Sequence, residues 1–333
     1  FPHSKVQALA GGGWVVAWSE SSGGWSSEIQ FDAQVFTSTG QAVDPIRINS
    51  LNSTGNDGLS IAPLAGGDWL AVWSSATHTG GAGIYGQRFS AAGHAVGGEF
   101  KVSDASSNAP LWPSVAGLKN GGWAITWTQN DGTSSVFNEE VYLKVYGSNG
   151  TAVSQGQGVQ AVVNTTTAGS QQFSTVAALS DGGWVLTWES DGQDGTPSGI
   201  YAQRYNAQAS PVGGEIHVSD QTAVLRKFPA VTVLSDGDWV ISWEEFESAN
   251  PYGPVYGIYG QRYAADGKPE GGEFRISTAE GKNQYDSNLA ALSDGGWISW
   301  WTADAADASD FNIYAQVFDS RGAKPQVDLT LNA

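Results

Sequence analysis

Two groups of residues in this 333-residue chain have types and spacings suited to chemistry. The first is acidic. In the turn DGQDGTPSG (191–199), Asp191, Gln193 and Asp194 offer oxygen ligands in a glycine-rich loop, which loosely resembles a calcium loop. The turn lacks the DxDxDG register, and its sister loop SSATHTGGAG (74–83) carries no Asp. Ca²⁺ is therefore the one candidate cofactor, at Asp191 and Asp194, and a solvated turn is the competing reading. The pairs Glu244–Glu245 and Asp304–Asp307 suit general acid/base work only if two carboxylates converge at about 5–9 Å across a cleft. His3, His78, His94 and His217 fall in no HxxxH or HExxH spacing, which argues against zinc. There is no GxSxG word and no phosphate-cradling loop, so no catalytic residue is assigned.

The second group is aromatic. Trp25, Trp112, Phe173, Phe228 and Tyr285 stand outside the chain's repeating pattern, and His3 takes the corresponding place near the start. Rings with Asp, Asn and Glu nearby are what sugars need: C–H faces stack on the ring and hydroxyls bond the polar groups. These six residues form the candidate ligand-binding set, with capping of the core as the alternative.

The elements that must position them come from a phrase written six times. GGGWVVAWSE, GGDWLAVWSS, NGGWAITWTQ, SDGGWVLTWES, DGDWVISWEE and DGGWISWWTA put the first Trp at 14, 69, 123, 184, 239 and 297. Its partner follows four residues later, at 18, 73, 127, 188, 243 and 301. The flanking glycines, the intervening Val, Ile and Thr and the short segments favour a strand, on which i and i+4 share one face. A second word follows as GIYGQRF (83–89), GIYAQRY (199–205) and GIYGQRY (257–263), with looser forms NIYAQVF and FDAQVF. A third follows as VGGEFKVSD (96–104), VGGEIHVSD (212–220) and EGGEFRIST (270–278).

Each unit thus reads as four short β-segments bounded by turn residues. The period of roughly 55 residues is that of a propeller blade. The expected fold is all-β: a six-bladed β-propeller of four antiparallel strands per blade, forming one domain over 1–333. The blades fall at about 1–55, 56–109, 110–170, 171–225, 226–281 and 282–333. A β-solenoid is the competing architecture. The chain begins in an innermost-type strand and ends in an outermost-type one, so a closed ring is expected to close by packing alone, the alternative being a segment of a longer array. Twelve of the fifteen Trp occupy the repeated positions and read as packing between blades. Burying about 200 Å² for each gives roughly 5 kcal/mol apiece as an upper bound.

Loop lengths separate two ends of the blade. From the Leu that closes the first segment to the first Trp the distance is always five, and from Gln87, Gln203 and Gln261 to Glu99, Glu215 and Glu273 it is always twelve. The connection from the second Trp to the Tyr word varies from 11 to 15 residues. It emerges at the other end, with the links between blades, where recognition usually resides. The outlying aromatics collect there, and Phe137, Phe246, Tyr252, Tyr256 and Phe311 are expected in those loops. Arg88, Arg204 and Arg262 recur inside the second word and read as blade structure rather than an anion-binding arginine cluster.

Composition bounds the partners. A net charge of −18 with 15 Lys and Arg argues against nucleic acid and against an anionic membrane surface. No run of 18 apolar residues is present to span a bilayer. The absence of Cys and Met suits a protein exposed to oxidants, outside the cell or on its surface. The start at Phe1, without a charged or apolar leader, is read as a secretion signal already removed.

The word LSDGGWVLTWESDGQDG…GIYAQRYNAQ…VGGEIHVSD (179–220) resembles a tandem repeat of large secreted bacterial proteins of the RTX or hemolysin-type, calcium-binding adhesin kind. It is clear in blades two, four and five. Blade three departs most (VYLKVYGSNGTAVSQGQGVQAVV, 141–163), and blade one lacks the Tyr-x-Gln form. The resemblance implies a secreted or surface-attached context and propeller-like blades. It transfers neither ligand nor catalytic residues, and the GGxGxDxUx calcium nonapeptide is absent. The leading expectation is an extracellular, lectin- or adhesin-like module that binds a glycan or other surface polymer without catalysis. The alternatives are a polysaccharide-degrading enzyme with channel-lining carboxylates, and a structural or assembly bead that self-associates.

Overall fold

Each Trp phrase forms the second strand of a small sheet. The computed structural model describes residues 4–21, 28–53, 58–104, 109–130, 138–154, 159–193, 195–220, 224–250, 253–278, 283–304, 311–324 and 329–330. They form six small antiparallel sheets whose strands follow chain order, giving the all-β, six-bladed β-propeller fold. The chain divides into two compact units. One comprises 1–165 with 207–210, and the other 166–206 with 211–333.

The first unit carries three blades. Blade one is Ser4–Ala8, Trp14–Ser21, Ile29–Phe36 and Ile46–Arg47. Blade two is Leu59–Pro63, Trp69–Ser75, Gly83–Phe89 and Ala95–Lys101. Blade three is Leu111–Gly117, Trp123–Asn130 and Glu139–Tyr146, edged by two short pieces, Ala152–Val153 and Ala161–Val162, that both pair with the third strand. That split edge is the physical content of the divergent 141–163 sequence.

The second unit carries the others. Blade four is Gln171–Ala178, Trp184–Ser190, Gly199–Tyr205 and Pro211–His217. Blade five is Arg226–Val233, Trp239–Asn250, Gly253–Tyr263 and Pro269–Arg275. Blade six is Gln284–Ala291, Trp297–Asp304, Phe311–Phe318 and Leu329–Thr330. Among the described residues each blade is built from one contiguous stretch, with no strand borrowed from elsewhere.

The repeated words have separate structural tasks. The first Trp of every blade stacks on the aromatic that closes the third strand: Trp14 on Phe36, Trp69 on Phe89, Trp123 on Tyr146, Trp184 on Tyr205, Trp239 on Tyr263 and Trp297 on Phe318. Ring centroids in these pairs are 3.7–5.5 Å apart. The Gly before Trp14, Trp123, Trp184 and Trp297 is required by close approach. A Cβ on Gly13, Gly122, Gly183 or Gly296 would collide with the third-strand carbonyl oxygen of Phe36, Tyr146, Tyr205 or Phe318.

The Gln of the second word sits at a bulge against the fourth strand. Gln87, Gln203 and Gln261 donate Nε2 to the carbonyls of Arg88, Arg204 and Arg262 at 2.7–2.9 Å. The Ser of the third word turns inward. The Oγ atoms of Ser103, Ser219 and Ser277 accept the backbone N–H of Ile84, Ile200 and Ile258 at 3.0–3.2 Å.

The Glu of that word reaches the preceding blade. Glu99 accepts from the Ser50 backbone N–H, and Glu273 accepts from the Asp220 backbone N–H at 3.0 Å. In blade three, Lys144 stands where sister blades have Gln, and its Nζ donates to the Val102 carbonyl of blade two at 2.8 Å. The arginines act as expected for blade structure. Arg88 pairs with Asp68 at 2.7 Å, and Arg262 with Asp238 at 2.6 Å. Arg204 donates to the carbonyls of Ala265 and Asp266 in the next blade.

One local expectation is corrected. Phe246, Tyr256 and Phe311 lie in strands rather than loops. The blade-five hairpin continues past Trp243 through the pair Phe246↔Tyr256 to Asn250↔Gly253, and Phe311 opens a third strand opposite Asp304. Cross-strand aromatic pairing extends the ladder where length alone suggested irregular chain.

Candidate functional site

The residues that single out one end of the blades share a backbone state. In blades three to six the first strand slips register opposite the second, between Thr126 and Thr128, Gln172 and Thr175, Lys227 and Ala230, and Tyr285 and Asn288. Each slip is a β-bulge, and it throws one residue into the left-handed region: Trp112 at φ 50°, Phe173 at 54°, Phe228 at 52° and Asp286 at 58°. All four stand six residues before the Leu that ends the segment. A non-glycine residue held there costs about 1–2 kcal/mol. Four consecutive blades keep that strain at one register, and three of them spend it on a large ring.

In the second unit the strained residue is held by the preceding blade. Glu189, the residue after Trp188, accepts the Phe228 backbone N–H at 3.3 Å. Glu244, the residue after Trp243, accepts the Asp286 backbone N–H at 2.8 Å. Both carboxyls are buried, and loss of water is the main reason they hold their protons. Glu189 is pushed up to about 8, reinforced by the charge of Asp191 and opposed by the Phe228 N–H and by Lys227. Glu244 is pushed up to about 7, opposed by the Asp286 N–H and by Lys227. Burial likewise raises Asp191.

Around these anchors the rings meet. Phe173 and Phe228 lie edge to face with centroids 4.4 Å apart. Lys227 Nζ sits 5.1 Å from the Phe228 ring and 4.0 Å from that of Tyr256, and 3.7 Å from Glu244 Oε2. Tyr256 in turn packs edge to face on Phe246 at 5.9 Å. In blade six, Tyr285 packs on Phe311 at 5.9 Å and donates its hydroxyl to Asp304 at 3.1 Å. Burial and the Asp304 charge push the Tyr285 hydroxyl above its ordinary range. Phe228 and Phe311 remain 36% and 53% exposed, so apolar ring area faces solvent on both blades.

Of the expected ligand-binding residues, the structure joins Phe173 with Phe228 and places Tyr285 beside the left-handed Asp286. Trp112 shows the same backbone state in the first unit, packed over Gly58, where a Cβ would lie 3.2 Å from the Trp112 backbone. Trp25 and His3 lie outside the described residues, as does Asp194 of the proposed calcium turn. Among the described residues no group of three His, Asp or Glu is placed to hold a metal ion. In that turn Gln193 is committed elsewhere, accepting from Ser190 and donating to Glu215.

The Glu244–Glu245 pair does not converge. Neighbours on a strand face opposite ways, and Glu245 instead accepts from the buried Arg226 at 2.8 Å. Asp307 is outside the described residues. Sequence reasoning missed Lys227 and Glu189. The one available signal was a carboxylate directly after the second Trp, present only in blades four and five. No helix among the described residues is long and apolar enough to cross a membrane.

No family model and no curated protein matches the chain. Solved structures do. A protein of unknown function from Dyadobacter fermentans DSM 18053 aligns at TM-score 0.57 and 13% identity, over 95% of this chain and 93% of that one. An alpha-L-arabinofuranosidase from Lactobacillus brevis aligns at 0.51 and 10%, over 84% and 96%. The GH93 alpha-L-arabinofuranosidase of Fusarium graminearum, solved with arabinobiose, aligns at 0.51 and 12%, over 78% and 80%. The chain spans 54% of the length of another match, a xylan beta-1,4-xylosidase from Bacillus halodurans C-125, at TM-score 0.46. At these identities the likeness is one of fold.

Proposed function

We propose that this chain is an extracellular carbohydrate-binding propeller that takes sugar rings against the aromatic surface of its second unit. The observation that carries this reading is the left-handed bulge repeated at one register, which presents Phe173 and Phe228 with their backbone fixed before any ligand arrives. A rigid ring with an exposed apolar face and a lysine beside it suits the mixed surface of a glycan. Two fold neighbours are arabinofuranosidases by name, one solved with arabinobiose, so this fold does accommodate sugars. The lack of Cys and Met supports the extracellular setting.

Hydrolysis is the second reading. The observation in its favour is the pair of carboxyls, Glu189 and Glu244, that retain protons near neutral pH as a general acid must. Binding is the better fit because each carboxyl already accepts a backbone N–H and is only 7% or 1% exposed, turned into the protein rather than towards a substrate.

The test is a broad glycan array in Ca²⁺ and again in EDTA, with released reducing or unsaturated ends assayed on every glycan that binds. Saturable, selective binding without new ends is expected. Silence in both conditions contradicts the reading and favours an assembly role, whereas turnover moves it to the enzyme. Loss of binding in EDTA assigns Ca²⁺ a role.

A further inference from the structure

The first unit holds a cleft that the aromatic surface does not use. It is an open cleft of about 430 Å³, lined by Arg47 and Ser50 of blade one and by Gln87, Phe89, Ala95 and Glu99 of blade two. Its origin is a short edge. The fourth strand of blade one has two residues, Ile46–Arg47, whereas the fourth strand of blade two has seven. Pro45 precedes it and brings no N–H, so the ladder breaks at Asp44–Pro45.

The walls of this cleft are fixed. Glu99 accepts from the Ser50 backbone N–H at 2.5 Å, the Ser50 hydroxyl at 2.9 Å and His78 Nε2 at 3.0 Å. Arg47 donates Nε to the Asn49 carbonyl at 2.8 Å and Nη2 to Asn52. Its Nη1 has no partner among the described residues, and no described carboxylate pairs with it. Gln87 is 4% exposed, and only its Nε2 is engaged, with backbone carbonyls. Its Oε1 is left as an acceptor with no partner among the described residues. The cleft therefore offers an uncommitted donor and an uncommitted, preoriented acceptor beside the apolar atoms of Phe89 and Ala95.

We propose that this cleft binds a single neutral sugar ring, such as the terminal residue of a glycan. Each hydroxyl of a pyranose is both donor and acceptor, so one face of the ring satisfies Arg47 and Gln87 together while its C–H groups cover Ala95 and Phe89. A volume near the lower end of the range of about 300–1,000 Å³ for small-molecule sites suits one ring rather than a polymer segment. A lone anion fits less well, since the Glu99 carboxylate lines the same space. This site stands apart from the aromatic surface and does not depend on it.

The experiment is saturation-transfer NMR and calorimetry on the whole chain with methyl pyranosides of the gluco, galacto, manno, xylo and arabino series. At least one should bind saturably with Kd on the order of 1 mM, as expected for a few hydrogen bonds and one ring. Ala95→Trp, which fills the cleft from an exposed position, should weaken that binding at least tenfold, and Arg47→Met, which also removes the bond to the Asn49 carbonyl, should do the same. Phe228→Ala reads the aromatic surface separately, and the pyranoside binding that Ala95→Trp removes should persist in it. No saturable pyranoside, or full affinity in both Ala95→Trp and Arg47→Met, overturns the proposal. Loss in Phe228→Ala alone assigns the binding to the aromatic surface and overturns it equally.

Discussion

Glu189 of the fourth blade accepts the backbone N–H of Phe228 of the fifth at 3.3 Å, and that bond holds a left-handed phenylalanine at φ 52° against the ring of Phe173. The same device recurs one blade on, with Glu244 and Asp286. A buried acid in one blade thus sets the backbone of a surface residue in the next.

Glu189 makes stability depend on pH with a definite sign. Its folded pKa of about 8 lies above the ordinary 4.5, so the folded protein binds more protons than the unfolded chain between those values. The contribution is complete below about 4.5 and is lost as pH rises towards 8, with a ceiling on the order of 5 kcal/mol. Glu189→Gln imitates the protonated acid. Its melting temperature should match the parent at pH 5 and exceed it at pH 8.5. Equal pH slopes in the two proteins would contradict the assignment.

Phe228 should invert a familiar ranking. In an ordinary strand Gly is less stable than Ala, but at φ 52° the Cβ itself is the source of strain. Phe228→Gly should be more stable than Phe228→Ala by about 1 kcal/mol in denaturant melts. The opposite order would show that the bulge relaxes when the ring is lost.

Gly183 should tolerate no side chain. A Cβ there meets the Tyr205 carbonyl oxygen, whereas at Gly214 nothing lies within 4 Å. Gly183→Ala is expected to cost about 2 kcal/mol or more, and Gly214→Ala to stay within about 0.5 kcal/mol. Comparable urea midpoints for the two variants would count against the close packing of the Trp phrase on the third strand.

These contrasts also mark what sequence patterning can and cannot reveal. The Trp pairs were legible because they return in every blade, and the Gln and Glu words because they return in blades two, four and five at a fixed spacing. Trp112, Phe173 and Phe228 were legible as outliers for the same reason: they break the pattern at one fixed distance from a Leu. Glu189 and Lys227 were not. An acid after a Trp reads as a solvated end of strand, and only the backbone of Phe228, 39 residues further on, makes it a buried anchor. Phe246 and Tyr256 read as loop because the hairpin that carries them is longer than its sisters. Glu244–Glu245 was legible only as a conditional pair, and strand alternation turns adjacent acids to opposite faces.

Arg262 separates a structural arginine from one that binds an anion. Its guanidinium meets Asp238 at 2.6 Å, Asp236 at 3.1 Å and the Ser320 carbonyl of the next blade at 2.8 Å. Removing a largely buried partner leaves Asp238 uncompensated, so Arg262→Ala should lose roughly 3 kcal/mol of stability. Glycan affinity of the folded variant should be unchanged. A selective loss of binding with stability intact would show that the arginines recognise ligand.

The most direct measurement is calorimetric titration of the tightest array-selected glycan into the parent chain and into Phe228→Ala, with Ala95→Trp as the control for the cleft. The aromatic-surface account predicts at least a tenfold loss of affinity in Phe228→Ala, from a lost stacking ring worth about 1.4 kcal/mol or more, and none in Ala95→Trp. Unchanged affinity in a folded Phe228→Ala would contradict it and remove the strained phenylalanine from the binding surface.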